Sequence, residues 1–457
     1  MQSLTEGKVS SILVRFSGPF LFAGMVQMGH GLINVFLLSW LASPASVAGA
    51  FNGNLLVMTA TATFSGLGTA GMILLGQFIG AKQDKNAAKT VGNVIIVQGL
   101  IAVICGLILF TLGGLFIRLL NVPAYYLENG LSAASEANSF LRIAAFGALF
   151  QVSHNTVNSM LRALGDSLRP MIFITSAFVI NIGLDFIFIG ALGMGAAGAA
   201  LATACAQAGG FLMASLYLRY KKFPFAFSKS YIRPDREILR NMFKLGMPIS
   251  LQMLLNMISF TIVARIINSL GTAEAAANSL VNSVFRIVVM VPFALGQAIN
   301  PITAQNFGAG RPERALQSTK LAILFSLAIA APAMLVSSFF PSSVLSLFSP
   351  DEDVVRVGAQ FLTSFSWDFV LVAFIFNINN FYNGMGITTF VAAHELTAAL
   401  LIRVPLTWLL SSIEGATLFY VGMGAPAASA ISLIMLLIYY RVKLSGGKLK
   451  TLNMTGA

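Results

Sequence analysis

Long apolar runs separated by short polar segments set the pattern of this chain. A helix needs about 20 mostly apolar residues to cross a bilayer. Runs of that kind lie at roughly 12–38, 51–75, 90–117, 138–161, 170–190 and 196–219, and again at 244–268, 279–303, 320–347, 358–383, 390–411 and 415–440. They predict twelve membrane spans. The glycines and prolines inside them do not argue against helix, because neighbouring helices in a membrane bundle re-satisfy the freed backbone groups.

The connecting segments differ in charge. One set is basic: Lys8 and Arg15 before or at the first span, Lys82, Lys85 and Lys89, Arg162 and Arg169, Arg311, Arg314 and Lys320, and Arg441, Lys443, Lys448 and Lys450 at the end. The longest connector belongs to this set, with Arg219, Lys221, Lys222, Lys229, Arg233, Arg236, Arg240 and Lys244. The alternate set offers only Arg118 and Arg356, beside acids such as Glu128, Glu136, Glu274, Asp351, Glu352 and Asp353. Basic residues favour the cytoplasmic side, so both termini are expected there. The polar start leads into an apolar run with no small-residue cleavage site, and no cleaved leader is expected.

Composition sharpens this. The chain has 457 residues, of which 57% are hydrophobic and 10% charged, with a formal charge of +12. Soluble domains carry roughly 25% charged residues. The positive balance would suggest nucleic acid in a soluble protein; here loop position explains it, and no nucleic-acid partner is expected. Cys105 and Cys205 both lie in apolar runs and read as small packing residues. There is no phosphate-binding loop ending in Lys-Ser/Thr, no metal-ligand spacing and no catalytic set, so neither an enzyme nor an ATP-driven pump is expected.

Against that background one residue stands out. The stretch 171–189 has a single charged side chain, Asp185. A charge at the centre of a membrane helix costs about 2.5–3.5 kcal/mol on insertion scales, and such residues mark ion or substrate pathways.

The long connector divides two halves that repeat each other. Ser17-Gly18-Pro19 matches Gly246-Met247-Pro248, and Gly76-Gln77-Phe78-Ile79-Gly80-Ala81 matches the segment around Gln305-Asn306-Phe307-Gly308-Ala309. Phe140-Leu141 matches Phe361-Leu362, and Gly165-Asp166-Ser167 matches Gly386-Ile387-Thr388. An even number of spans per half inserts both the same way up, giving parallel repeats about an axis along the membrane normal.

These stretches, with Met160-Leu161-Arg162-Ala163-Leu164-Gly165-Asp166-Ser167-Leu168-Arg169-Pro170, Asn181-Ile182-Gly183-Leu184-Asp185 and the small-residue run 195–203, resemble the MATE (multidrug and toxic compound extrusion) transporters over nearly the whole chain. The resemblance is closest to the prokaryotic DinF-like branch. It implies an antiporter that expels amphipathic, often cationic, compounds in exchange for H⁺ or Na⁺. It also implies an ion-coupling cluster at Asn181, Asp185 and Thr203, and a bending first helix with its hinge at Pro19. The branch's first-span aspartate falls on Asn34 here, which leaves one carboxylate in the cluster and favours H⁺.

Residue positions agree with such a cluster. Asp185 and Asn181 sit roughly 8 and 14 Å below the outer end of their span, at 1.5 Å per residue, and share one helix face as an i, i+4 pair. Asn34 and Thr203 fall in the same outer third. His30 lies one turn from Asn34, where its bland reading is a satisfied core histidine. Pro19 lacks an N–H and is expected to kink its helix.

The second half has intramembrane charges of its own, Asp368, Arg403 and Arg286. Their bland reading is a buried ion pair; the other is a second proton or substrate site. Glu395, beside His394, is placed near the cytoplasmic end of its span and given little weight.

The expected protein is therefore an all-α polytopic membrane protein of twelve transmembrane helices in two six-helix bundles related by a pseudo-two-fold axis along the membrane normal. The bundles are residues 1–220 and 244–457, joined by a cytoplasmic linker at 221–243. The expected function is a monomeric antiporter for small amphipathic cations, without a cofactor other than the coupling H⁺ or Na⁺. The rival is a flippase for a lipid-linked precursor, favoured by a basic cavity. A receptor or channel is disfavoured by the repeat and the lack of a sizeable extramembrane domain.

Overall fold

A computed structural model describes residues 3–120, 122, 132–221, 223–413, 415 and 417–445. Of the loop charges named above, Glu128, Lys222, Lys448 and Lys450 lie outside the described residues. No strand occurs among the described residues.

The first half is built from α1 (Val9–Leu41), α2 (Pro44–Gly80), α3 (Asp84–Leu119), α4 (Ala133–Ala163), α5 (Leu168–Asp185) and α6 (Gly195–Lys221). A π-helical stretch, Phe186–Ala191, continues α5 directly from Asp185. The second half has α7 (Arg236–Asn268), α8 (Thr272–Gly308), α9 (Pro312–Phe339) and the short α10 (Pro341–Ser346). Then come α11 (Glu352–Phe365), α12 (Trp367–Met385), α13 (Thr388–Leu396), α14 (Val404–Ser411), α15 (Leu418–Gly422) and α16 (Gly424–Tyr439).

Ten of these helical stretches are long and apolar enough to cross a membrane, and the bent pair α11–α12 makes an eleventh crossing. With α4 the crossings are twelve, as the sequence predicts. α4 is less apolar than the other long helices for a physical reason. It packs against α2, α3 and α6, so much of its surface meets protein and can carry Glu136, His154 and Arg162, none of them exposed. Several helices outrun the predicted spans into the polar segments, α2 and α8 most clearly.

The last three predicted spans are interrupted where the sequence reading had them continuous. Span 10 bends by 45° between α11 and α12 at Ser366. Span 11 passes from α13 through a π-helical stretch, Thr397–Arg403, into α14. The proline at position 405, just inside α14, has no N–H to continue a regular ladder, which accounts for the widened turn. Span 12 starts as the single-turn α15 before α16.

The repeat is visible in matched helix ends. α2 and α8 are both 37 residues long and stop at the matched glycines Gly80 and Gly308. Each end closes the same way: Lys82 N–H donates to Ile79 O and Gln83 N–H to Phe78 O, and Gly310 N–H donates to Phe307 O and Arg311 N–H to Asn306 O. That closure needs a left-handed residue. Gly310 supplies it at φ +69°, whereas the first half uses Lys82 at φ +57°.

By contacts the chain forms two compact units, Phe22–Ser250 and Ser3–Leu21 with the chain from Leu251 onward. This differs from the sequence division at 220 and 244. Leu4, Ile12, Leu13 and Phe16 are buried in one core with Leu295, Ile299, Ile302 and Phe381, so the start of α1 belongs to the second unit. The segment before α1 is tied down too: Leu4 N–H donates to Gln305 Oε1 at 3.2 Å, and Asn306 Nδ2 donates to Leu4 O at 3.0 Å. α1 stays helical through Pro19, and the unit boundary falls just beyond it.

The connector between α6 and α7 packs on the first unit. Phe223, Phe225, Phe227 and Tyr231 form a run of ring contacts, and the Tyr231 carbonyl lies where a Cβ on Gly92 of α3 would stand. Asp235 begins α7 as a cap, accepting from the N–H groups of Glu237 and Ile238 at 3.2 Å each. Its own N–H donates to Asn93 Oδ1 at 2.9 Å, and its carboxylate meets Lys89 Nζ at 2.8 Å.

Candidate functional site

The first unit buries Asp185, 1% exposed, at the junction of α5 and its π-helical continuation. π-Helical turns break the regular ladder and are frequent at functional positions. Asn181, one turn earlier, is 2% exposed and is the centre of the cluster.

The Asn181 amide reaches three neighbours. With Nδ2 turned toward the carboxylate it donates to Asp185 Oδ2 at 3.1 Å and to His30 Nε2 at 2.7 Å, while Oδ1 accepts from the Thr203 backbone N–H at 3.1 Å. Turned the other way, Oδ1 faces His30 Nε2 at the same 2.7 Å and Nδ2 reaches Thr203 Oγ1 at 3.4 Å. The first orientation satisfies both amide ends, and the choice rests on that hydrogen-bond fit. It makes His30 an acceptor at Nε2, hence neutral, and Asp185 an acceptor, as an ionised carboxylate is. Asp185 Oδ1 has no hydrogen-bond partner.

The sequence-derived cluster is thus brought together in part. Asn181 meets both Asp185 and Thr203 directly. His30, given a bland reading from sequence, is the third side chain on the amide and packs edge-on to Phe178 with ring centroids 5.7 Å apart. Asn34 is not bonded to them; it lines a neighbouring cavity.

That cavity, of about 580 Å³, is walled by His30, Asn34, Asn52, Asn54 and Thr203 together with apolar groups such as Leu38, Phe51 and Phe140. A smaller one of about 90 Å³ lies on the other side of His30 and Thr203, lined by Asn181, His154, Asn155 and Gln207. No Lys, Arg, Asp or Glu lines either. His154 of α4, 2% exposed, bonds through Nδ1 to Gln207 Oε1 at 2.8 Å. Sequence reasoning passed over His154 and Gln207. A signal existed, since Gln151, His154, Asn155 and Asn158 form a polar stripe at i, i+3, i+4 and i+7 along α4.

In the second unit, Asp368 is 2% exposed and sits in the first turn of α12, just after the bend. A helix N-terminus suits a carboxylate. Arg403 ends the π-helical stretch with its guanidinium 4.9 Å from the centroid of Phe260. Arg286 is exposed and donates to Ser283 Oγ at 3.3 Å. None of the three forms an ion pair among the described residues, so the buried pair suggested by sequence is not made. Glu395 is instead held by two amides, Asn256 and Asn379.

Comparison with known proteins agrees with this architecture. The chain is 28% identical over 436 residues to the Probable multidrug resistance protein YoeA of Bacillus subtilis, covering 93% of this chain and 92% of the relative. It is 23% identical over 423 residues to the Multidrug export protein MepA of Staphylococcus haemolyticus, covering 90% and 89%. Among solved structures, a MATE crystal structure in the bent conformation superposes with a TM-score of 0.90 at 21% identity, over 98% of both chains. The straight conformation superposes at 0.88 and 22%, over 97% of both. The sequence model of the MatE family matches twice, over residues 19–187 and 248–409, once in each half and starting at the matched prolines Pro19 and Pro248. The chain is a member of the MatE family.

Proposed function

We propose that this protein is a proton-coupled antiporter that exports small amphipathic cations from the cytoplasm, working as a monomer in a bacterial inner membrane with both termini inside. The observation that carries the reading is the Asp185–Asn181–His30 chain beside a cavity with apolar walls and neutral polar groups. The relatives' names, a multidrug resistance protein and a multidrug export protein, support the substrate class.

The chemistry follows from the hydrogen bonds. Asp185 is the one carboxylate of the cluster, and protonation removes the cost of holding a buried charge. A protonated Asp185 becomes a donor, which the Asn181 amide accepts by turning Oδ1 toward it. That turn takes an N–H away from His30 Nε2 and changes the wall shared by the two cavities. An arriving proton and an arriving organic cation therefore act on the same amide, and one displaces the other. Na⁺ is held best by several oxygens including negative ones; with Asn34 in place of a second acid, this cluster has a single formal charge.

A flippase for a lipid-linked pyrophosphate would need cationic groups in the cavity, and neither lining has one. The test is efflux of a cationic dye by everted vesicles with pH and Na⁺ gradients imposed separately. Efflux that follows the pH gradient supports the reading. Efflux that follows only Na⁺ at constant pH overturns the choice of ion, and no efflux under either gradient overturns the antiporter.

A further inference from the structure

The second unit contains a hydrogen-bonded chain that repeats the chemistry of the Asp185 cluster on different elements. Glu395, on α13, accepts from Asn379 Nδ2 of α12 at 2.7 Å through Oε1 and from Asn256 Nδ2 of α7 at 3.0 Å through Oε2. Asn379 Oδ1 faces His394 Nε2 at 2.9 Å, and His394 Nδ1 faces Ser432 Oγ of α16 at 3.1 Å. His394 is 0% exposed and Asn379 4%, while Glu395 is half-buried. Each unit thus has a carboxylate and an imidazole joined by one asparagine: Asp185–Asn181–His30 and Glu395–Asn379–His394.

The orientation of Asn379 fixes the roles. Its Nδ2 donates to Glu395, so the carboxylate is the ionised acceptor. Its Oδ1 must then receive the His394 Nε2–H, which leaves Nδ1 of the neutral ring to accept from the Ser432 hydroxyl. One more proton can be placed without moving any heavy atom. It binds Nδ1, the Ser432 hydroxyl rotates to become the acceptor, and the imidazolium faces the Glu395 carboxylate through the Asn379 amide.

We propose that His394 is a second proton-binding site, with Glu395 as its counter-charge across Asn379. One proton is taken from water, one N–H bond forms at Nδ1, and the net charge of the trio goes from −1 to zero.

The surroundings suit this. From α12 through the π-helical stretch the other charged side chains are Asp368, in the first turn of α12, and Arg403, the last residue of the π-helical stretch. α7 has no charged side chain between Lys244 and Arg265, and α16 presents Ser432 with no charge along Gly424–Tyr439. α7 is joined to the span of Glu395 at a second point. Ser259 of α7, one turn after Asn256, donates to Ala399 O in the π-helical stretch at 2.7 Å, so the same two helices are joined at both points. The site deepens the antiporter reading by giving each unit a proton acceptor, and it rests on that reading only for the use made of the proton.

The experiment uses the three histidines, His30, His154 and His394, as probes. The full chain labelled with ¹⁵N-histidine is reconstituted in nanodiscs and titrated by NMR from mildly alkaline to mildly acidic pH, with His394→Gln identifying the signal. The expected result is a His394 ring that becomes imidazolium as pH falls, with a midpoint lowered by about one unit or more in Glu395→Gln, because the opposite charge has gone. A wild-type His394 that stays neutral while the protein remains folded overturns the proposal, whatever the variant does. So does an unchanged midpoint in a folded Glu395→Gln. The measurement needs no transport, so its outcome is separate from that of the vesicle assay on Asp185.

Discussion

At the scale of single residues, function is expected to hang on Asp185. Asp185→Asn keeps the side chain's size but cannot release a proton, so gradient-driven efflux should fall to background with expression and detergent stability intact. Normal transport by that variant would remove Asp185 from the coupling step. His30→Gln tests the neighbour differently: glutamine can still reach Asn181 but cannot titrate. Transport is expected to survive with a pH dependence changed from wild type. A pH profile identical to wild type would make His30 a purely structural partner. Asn34→Asp returns a second acid to the wall of the larger cavity, and is expected to introduce sensitivity to Na⁺ in the vesicle assay.

At the scale of elements, the two halves can be played against each other. Lys82 holds a left-handed conformation that Gly310 holds in the second half. A left-handed L-residue costs on the order of 1 kcal/mol, so Lys82→Gly is expected to raise the unfolding free energy in detergent by about that amount. No rise would mean that the lysine side chain compensates. At the start of α7, Lys89 holds the Asp235 carboxyl below the usual carboxylate range through their hydrogen bond, aided by the helix N–H groups. A lowered folded value means the folded chain keeps this proton off where the unfolded chain would take it up. The stabilisation is complete above the unfolded value of about 3.9 and is lost as pH falls through the folded one. Asp235→Ala should therefore lower thermal stability at neutral pH, by about 1 kcal/mol for the lost cap, and the gap from wild type should close in acid. A gap that is constant with pH would assign the loss to packing. Gly92→Ala would force the Tyr231 carbonyl away from α3, and is expected to expose the connector to protease.

At the scale of the whole molecule, the charge distribution sets the insertion. A reporter active only outside the cytoplasm, fused after residue 457, is expected to be silent, and one active only inside is expected to work. The opposite result would invert every depth assigned above. Within the second unit, Leu4 is buried and hydrogen-bonded to Gln305 and Asn306, so an N-terminal truncation through Thr5 is expected to destabilise a helix bundle that lies far away in sequence.

What the sequence determined by itself is what depends on solvent and on local geometry. Apolar runs must be helices in lipid because every backbone group has to be satisfied within the segment, so the number of crossings was legible, though not their ends. The repeat was legible because corresponding helix ends carry matching residues, as at Gly80 and Gly308. Asp185 was legible because a lone carboxylate in an apolar run has to be accounted for. Tertiary structure alone decided which polar side chains meet. His30 looked like a solitary core residue until α1 and α5 placed it on Asn181, and Glu395 looked hydrated until α7 and α12 supplied two amides. Asn34 had the right depth, but its side chain faces a cavity instead of the carboxylate. The grouping of Ser3–Leu21 with the second unit is of the same kind. These arrangements follow from contacts between segments far apart in the chain, and periodicity along one helix carries no information about the face its neighbour presents.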